Sequence, residues 1–333
     1  MKTNRFRFAW FRTAPFFFLC IFPHPVFSQT GPSVISTFSI VARDSAAEEL
    51  GVAVASRFFA VGSVVPWARA GVGAVATQAY ANTSFGFRGL ELMEKGLEPD
   101  EALKILLRAD EDPQKRQIGM VSPQGKSVTY TGSLCNAWAG GRNGMNYAVQ
   151  GNILAGEAVV KAMEKAFLET PGTLADRLYA ALIAGDRNGG DSRGRQSAAM
   201  LVVKKGSGYG GYNDRAIDIR VDDHPEPFIE LGRLLRFAQM NYCWNTAWTL
   251  FTAKRYFEAL APMEKAAQLG MDNGEVQYDL AVIRLAAKDK GGALDALREA
   301  LRLNPKLKNQ AEKDNDLAGL KGEPEFENLL KRK

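Results

Sequence analysis

Between Ser36 and Val221 the strand signals come in clusters of two or three, and pairs of helical segments separate the clusters. Short β-branched and glycine-rich runs predict strands over 36–43, 50–56, 72–78, 116–121, 126–131, 146–150, 198–204 and 215–221. Alternation of apolar and polar residues is clearest in the first and last of these. Apolar residues at three- and four-residue spacing predict helices over 86–95, 99–109, 156–168, 173–184 and 226–240. Pro99 and Asp100 stand near the start of the second, and Thr173 can cap the fourth. This order is incompatible with a regular βαβ alternation. It predicts an α+β fold of mostly antiparallel sheets with helices on the outer faces.

From Asn241 the strand signals stop, and alanine, leucine and charged residues dominate. "YFEAL" at Tyr256 to Leu260 aligns with "KGGAL" at Lys290 to Leu294, an offset of 34. At the same offset "EKAAQLGM" from Glu264 aligns with "REALRLNP" from Arg298. The shared small residues, Ala259/Ala293 and Ala266/Ala300, let paired helices approach closely, and Gly270 and Asn304-Pro305 end the second helix of each unit. Period and turn chemistry together predict a pair of tetratricopeptide-like repeats. A further helix near 310–330 would cap them. Repeat stacks present a surface suited to a protein or peptide partner. Trp244, Trp248, Tyr256 and Tyr278 are expected to serve mainly as core.

The head of the chain has a different logic. Lys2, Arg5, Arg7 and Arg12 precede the apolar run Phe16 to Phe22, Pro23 and Pro25 break it, and Val26-Phe27-Ser28 precedes Gln29. This is the layout of a secretory signal. The apolar run falls far short of the ~20 residues that span a bilayer. A bulky residue, Leu19, directly precedes Cys20, which argues against a lipid anchor. The expected organisation is therefore a signal over 1–28, a short leader over 29–36, a main domain over 37–240 and helical repeats over 241–333. Export to the periplasm or the extracellular space is expected, with no membrane span once the signal is removed.

The chain has 333 residues, 46% of them apolar, which is ordinary globular composition. Of its net charge of +5, four cations lie in the signal, so the remainder is nearly neutral and offers nucleic acid no electrostatic footprint. The two histidines, His24 and His224, leave one outside the signal. With Cys135 and Cys243 that is too few ligands for a His-rich metal site, so neither a metal nor another cofactor is expected. Nothing in the spacing pairs the two cysteines, which are expected to be single buried thiols. His224 lies in a Pro-flanked turn, a surface setting. Any catalysis is expected to run without imidazole.

Four stretches carry polar groups at strand ends. "TFSIVARD" opens with Thr37, although by pattern alone it is an ordinary edge strand. "ATQAYAN" closes the third strand. "YAVQGNIL" sets Gln150 and Asn152 around Gly151, where amides either donate to a developing oxyanion or close a turn. "AGDRNGGDSRGRQSAA" packs Asp186, Asp191, Arg193 and Arg195 among glycines, either capping turns or lining a site. Its twelfth position from Asp186 is Ser197, not the glutamate of a calcium loop. No Gly-Lys-Ser/Thr closes a phosphate loop, and "GVG" at Gly71 is too short for a dinucleotide fingerprint.

With "LGVAVASRFFAVGSVVPWARAGVGAVATQA", these stretches resemble, in order and over nearly all of 37–242, the bacterial and archaeal family called domain of unknown function 1028. That family is regarded as similar to N-terminal-nucleophile hydrolases. The resemblance implies a four-layer αββα sandwich and an amide-bond hydrolase with Thr37 as nucleophile. The substrate would be a peptide or an amide-containing small molecule. Thr37 would supply its own base: an α-amine near pKa 7.7–8.0 is about one-third unprotonated near pH 7.5, against about 0.1% for lysine. On this reading Gln150, Asn152 and backbone N–H groups near Gly151 are the expected oxyanion donors, and Asp186, Asp191 and Arg193 orient the amine or substrate. A second cut at Ser36–Thr37, self-catalysed or made by another protease, must free the amine. Two other readings stand beside it: a non-catalytic exported binding or scaffold protein on the same fold, and a hydrolase using Ser56 or Ser39.

Overall fold

The computed structural model describes residues 37–331. The expected signal over 1–28, the leader over 29–36 and His24 lie outside the described residues. Strand β1 (Thr37–Asp44) pairs on one side with β2 (Glu49–Ser56) and on the other with β8 (Tyr147–Asn152). The six-stranded sheet is completed by β7 (Gly140–Gly144), β9 (Ser197–Val203) and β10 (Arg215–Val221), in the order β10-β9-β2-β1-β8-β7. β1 is therefore an interior strand and not the edge strand its pattern suggests. Edge character is set by β8, a partner distant in sequence, which a local pattern does not encode. The second sheet runs β3 (Pro66–Arg69), β4 (Gly73–Ala79), β5 (Arg116–Val121) and β6 (Ser127–Thr131). Every strand pair in both sheets is antiparallel.

Period-two alternation sorts the side chains. Phe38, Ile40 and Ala42 join Ala53, Ala55 and Val149 in a core with α3 (Glu157–Glu169), α4 (Leu174–Arg187) and the start of α5 (Pro227–Thr252). The opposite face of the same strands turns Val41, Val52, Val54 and Ala148 toward Ala74, Ala76 and Val121 of the second sheet. That sheet's outer face packs Val75, Ile118 and Met120 against α1 (Ser84–Glu94) and α2 (Pro99–Arg108). Two local signals hold as expected. Pro99 takes the first turn of α2, and the Thr173 hydroxyl accepts from the Asp176 N–H to cap α4.

α5 runs unbroken through residue 240, where the composition changes. It then packs on α6 (Tyr256–Leu269), followed by α7 (Gly274–Ala286) and α8 (Lys290–Leu303), in a separate apolar core. Ala259, Ala266, Ala293 and Ala300 are all fully buried there. Tyr278 is core, Trp244 and Trp248 are half-buried, and both indole N–H groups donate to Asp279 Oδ2, at 2.7 and 2.5 Å. The single helix expected near 310–330 is instead α9 (Lys308–Ala311), a short 3-10 turn at Ala318–Leu320 and α10 (Pro324–Lys331). Gly322, at φ +84°, and Pro324 interrupt it. The chain is thus a mixed α/β protein with antiparallel sheets and a C-terminal helical region. Among the described residues no helix is long and apolar enough to cross a membrane. Cys135 and Cys243 are free and half-buried, and burial pushes both thiols up from their ordinary pKa.

One buried ion pair ties the second sheet to its helices. Asp110, with 2% of its side chain exposed, accepts from Asn82 Nδ2 at 2.7 Å and pairs with Arg116, whose Nη1 donates to the Tyr80 carbonyl at 2.7 Å. Burial pushes the carboxyl up, but the bonds from Arg116 and Asn82 outweigh it and hold Asp110 below its ordinary pKa. Its stabilisation is therefore present above the unfolded-state pKa and is lost as pH falls through the folded value. Asp110→Ala is expected to cost about 1–3 kcal/mol, because Arg116 loses its ion-pair partner while keeping its bond to the Tyr80 carbonyl and Asn82 loses an acceptor. Urea unfolding at pH 7 checks this.

Candidate active site

Thr37 is the first residue of β1, directly opposite Ser56 on β2 and Asn152 on β8. Alternation puts Thr37 and Ser39 on the face toward the second sheet, continuing the line of Val41. The inter-sheet interior is apolar around Val41 and Ala76 and polar at the Thr37 end. Thr37, Ser39, Gln78, Gln117, Gln150 and Asn152 are all fully buried. Buried amides and hydroxyls on this scale are stable only when bonded to one another.

They are. Thr37 Oγ1 donates to Ser56 Oγ at 3.3 Å, and Gln78 Nε2 donates to the Thr37 carbonyl at 3.3 Å. Gln150 Nε2 donates to Ser39 Oγ at 2.7 Å, and Ser39 Oγ donates to Gln78 Oε1 at 2.6 Å. Gln117 Oε1 accepts from Gln78 Nε2 at 2.8 Å and from Asn152 Nδ2 at 2.9 Å. Gln117 Nε2 donates to the Gly151 carbonyl at 2.7 Å and to Thr131 Oγ1 at 2.9 Å. Gly119 makes room for this network, because a Cβ there would stand 2.1 Å from Gln150 Oε1.

The loop between α4 and β9 closes the same end of the sheet. Asp191 is 6% exposed and bridges backbone to backbone with Leu154. Its Oδ2 accepts from the Arg57 N–H at 2.8 Å and its Oδ1 from the Arg193 N–H at 2.9 Å. Asp186 takes a two-pronged bond from Arg195, at 2.7 and 2.8 Å, and Arg195 also reaches Glu226 Oε2 at 2.7 Å. Ile153, which follows β8 and whose carbonyl accepts from the Ser192 N–H of this loop, holds φ at +51°. A β-branched residue in that region is strained, a feature that clusters at functional sites. Beside Thr37 the loop and the strand ends enclose a cavity of about 250 Å³, lined by Phe38, Ser56, Asp186, Asp191, Arg195 and Ser197 among others.

The structure brings Asp186, Asp191 and Arg193 to the Thr37 end of the sheet. Gln150 and Asn152 are near in register and donate to Ser39 and Gln117, and neither they nor the buried Thr37 side chain line the cavity, which Thr37 meets through Ser56 and its neighbour Phe38. β8 alternation turns both toward the second sheet. The alternative hydroxyls part company: Ser56 lines the cavity, whereas Ser39 lies deeper between the sheets. Sequence reasoning missed Gln117 and Arg57 as parts of this region, whereas Gln78, Arg195 and Ser197 lie in stretches it singled out without giving them a role. A glutamine at a core-facing position of an otherwise apolar strand, as in "RQIGMV", was the available signal for Gln117. His224 is exposed, its Nδ1 accepting only from the Glu226 N–H at 3.0 Å among the described residues. No group of three or more potential metal ligands is found among the described residues.

A solved structure, protein SPO2555 from Silicibacter pomeroyi, assigned to DUF1028, is similar at 30% sequence identity with a TM-score of 0.56. The match covers 61% of this chain and 89% of that one. No curated protein matches the chain. The family model for DUF1028, described as a family of unknown function, matches residues 37–231, and the chain belongs to that family.

Proposed function

We propose that the protein is an exported amide-bond hydrolase that uses Thr37 as an N-terminal nucleophile. On this reading the two sheets, with α1 and α2 outside one and α3 and α4 outside the other, are the αββα sandwich of the N-terminal-nucleophile hydrolases. The observation that carries it is the position of Thr37. It opens an interior strand, its hydroxyl is bonded to Ser56, and Ser56 lines a cavity that also holds two carboxylates and a guanidinium.

Once the bond before Thr37 is cut, the α-amine accepts the Oγ1 proton as Oγ1 attacks the amide carbonyl. The same proton then goes to the departing amine, and water hydrolyses the Thr37 ester by the reverse path. General-base help of this kind contributes about 10²–10⁴ in rate. The buried network fixes the Thr37 carbonyl through Gln78, and Asp191 and Asp186 hold the loop that walls the cavity. The test compares a chain beginning at Thr37 with one beginning at Gln29 on a panel of acyl amides. Only the chain with the free Thr37 amine should turn over. Equal rates would overturn the self-base mechanism.

The occupied donors of Gln150 and Asn152 favour a second reading, a non-catalytic exported scaffold on the same fold. It predicts no turnover by either chain. In both readings the helices from α5 to α8 are tetratricopeptide-like repeats that hold a protein or peptide partner. α6 and α8 begin at Tyr256 and Lys290, 34 residues apart, with 14 residues each.

A further inference from the structure

A second cavity lies at the far end of the β1–β2 hairpin. Thr37 pairs with Ser56 at one end and Asp44 with Glu49 at the other, about 23 Å away at ~3.3 Å per residue. Here the hairpin turn, the start of α4, strands β9 and β10, and helices α5 and α6 enclose about 570 Å³. Small-molecule sites typically measure about 300–1,000 Å³ and combine apolar walls with a few convergent polar groups. Ala47, Val202, Ile217 and Leu269 give this cavity its apolar walls.

Its charged groups are unequally committed. Asp44 accepts from the Ala46 and Ala47 N–H groups at 2.9 and 3.0 Å and faces Arg177 at 3.7 Å. Asp176 caps Thr173 and accepts from Gln239 Nε2 at 2.7 Å. Glu49 alone of the three carboxylates makes no side-chain hydrogen bond or ion pair among the described residues. Burial pushes its carboxyl up from the ordinary pKa, with Lys204 opposing from beyond ion-pair distance. A half-buried, uncommitted carboxylate beside an apolar wall is complementary to an ammonium carried on an apolar body.

We propose that this cavity is a binding site for a small amphipathic amine, with its ammonium on Glu49 and its apolar body against Ala47, Val202, Ile217 and Leu269. The site is independent of Thr37, so neither reading of the first cavity bears on it. It joins the sheet domain to the helical region. Lys265 also lines it and is solvent-exposed, so an anionic ligand is the competing occupant.

Calorimetry of the full chain with 2-phenylethylamine, 3-phenylpropionate and 2-phenylethanol separates these cases, with protection of Cys243, a lining residue, against a thiol reagent as the site-specific readout. The amine should bind at one equivalent, protect Cys243 and exceed the carboxylate by about tenfold, the worth of one charge-assisted bond. Glu49→Gln should bring the amine down to the alcohol, and Ala47→Trp, in the hairpin turn, should remove all binding. Equal or tighter binding of the carboxylate would overturn the proposal. So would amine binding that survives Ala47→Trp, or no binding of the amine at all.

Discussion

Thr37→Ala is expected to lower amide hydrolysis by about 10³–10⁶, the range seen when a catalytic nucleophile is removed. The fold should survive, because the hydroxyl's bond to Ser56 is long, at 3.3 Å, and a neutral hydrogen bond is worth about 1 kcal/mol. Thr37→Ser keeps both hydroxyl and α-amine and should retain most of the rate. Turnover on an amide panel, beside an unchanged circular-dichroism spectrum and unfolding midpoint, checks the pair. A rate indifferent to Thr37→Ala would move the nucleophile to another group, and Ser56, which itself lines the cavity, would be tested next.

The largest stability effect should come from a residue with no place at the cavity. Gln117→Ala removes the acceptor shared by Gln78 and Asn152 and the donor to Gly151 and Thr131. Four buried hydrogen bonds at about 0.5–1.5 kcal/mol each put the expected cost near 2–6 kcal/mol. Gln268, exposed on α6, is the control, and Gln268→Ala should change stability by less than about 0.5 kcal/mol. Guanidinium unfolding of the two variants reads both. The network also fixes the Thr37 carbonyl through Gln78, so Gln117→Ala should impair turnover in the fraction that remains folded.

What the sequence showed of this fold followed from local pattern. Eight strands carry period-two or β-branched signals strong enough to find, and each lies within one or two residues of its expected place. The two strands without such a signal were missed. β7 is "GGRNG", which has no apolar side chain and is held by backbone bonds to β8, and β3 is a four-residue edge strand opening at Pro66. α5 outran its expected end because apolar residues such as Ala247 and Trp248 continue the helical spacing past 240. Only the packing partner changes there, from the sheet to α6.

The site was legible to the same degree. Thr37 at the head of a strand and the aspartates of a glycine-rich loop were visible as candidates. The amide network was not, because it joins four strands from two sheets across separations such as 39 residues between Gln78 and Gln117. Gln150 and Asn152 show the consequence. Their place opposite Ser39 and Thr37 follows from pairing, and their bonding to Ser39 and Gln117 follows from which face the second sheet covers.

The central claim is that the working chain begins at Thr37, and the intact mass of the mature protein recovered from cells that export it tests this most directly. The account predicts a mass corresponding to residues 37–333. A mature chain that begins at Gln29 and hydrolyses amides would contradict it, since its Thr37 nitrogen would be acylated and could not serve as the base.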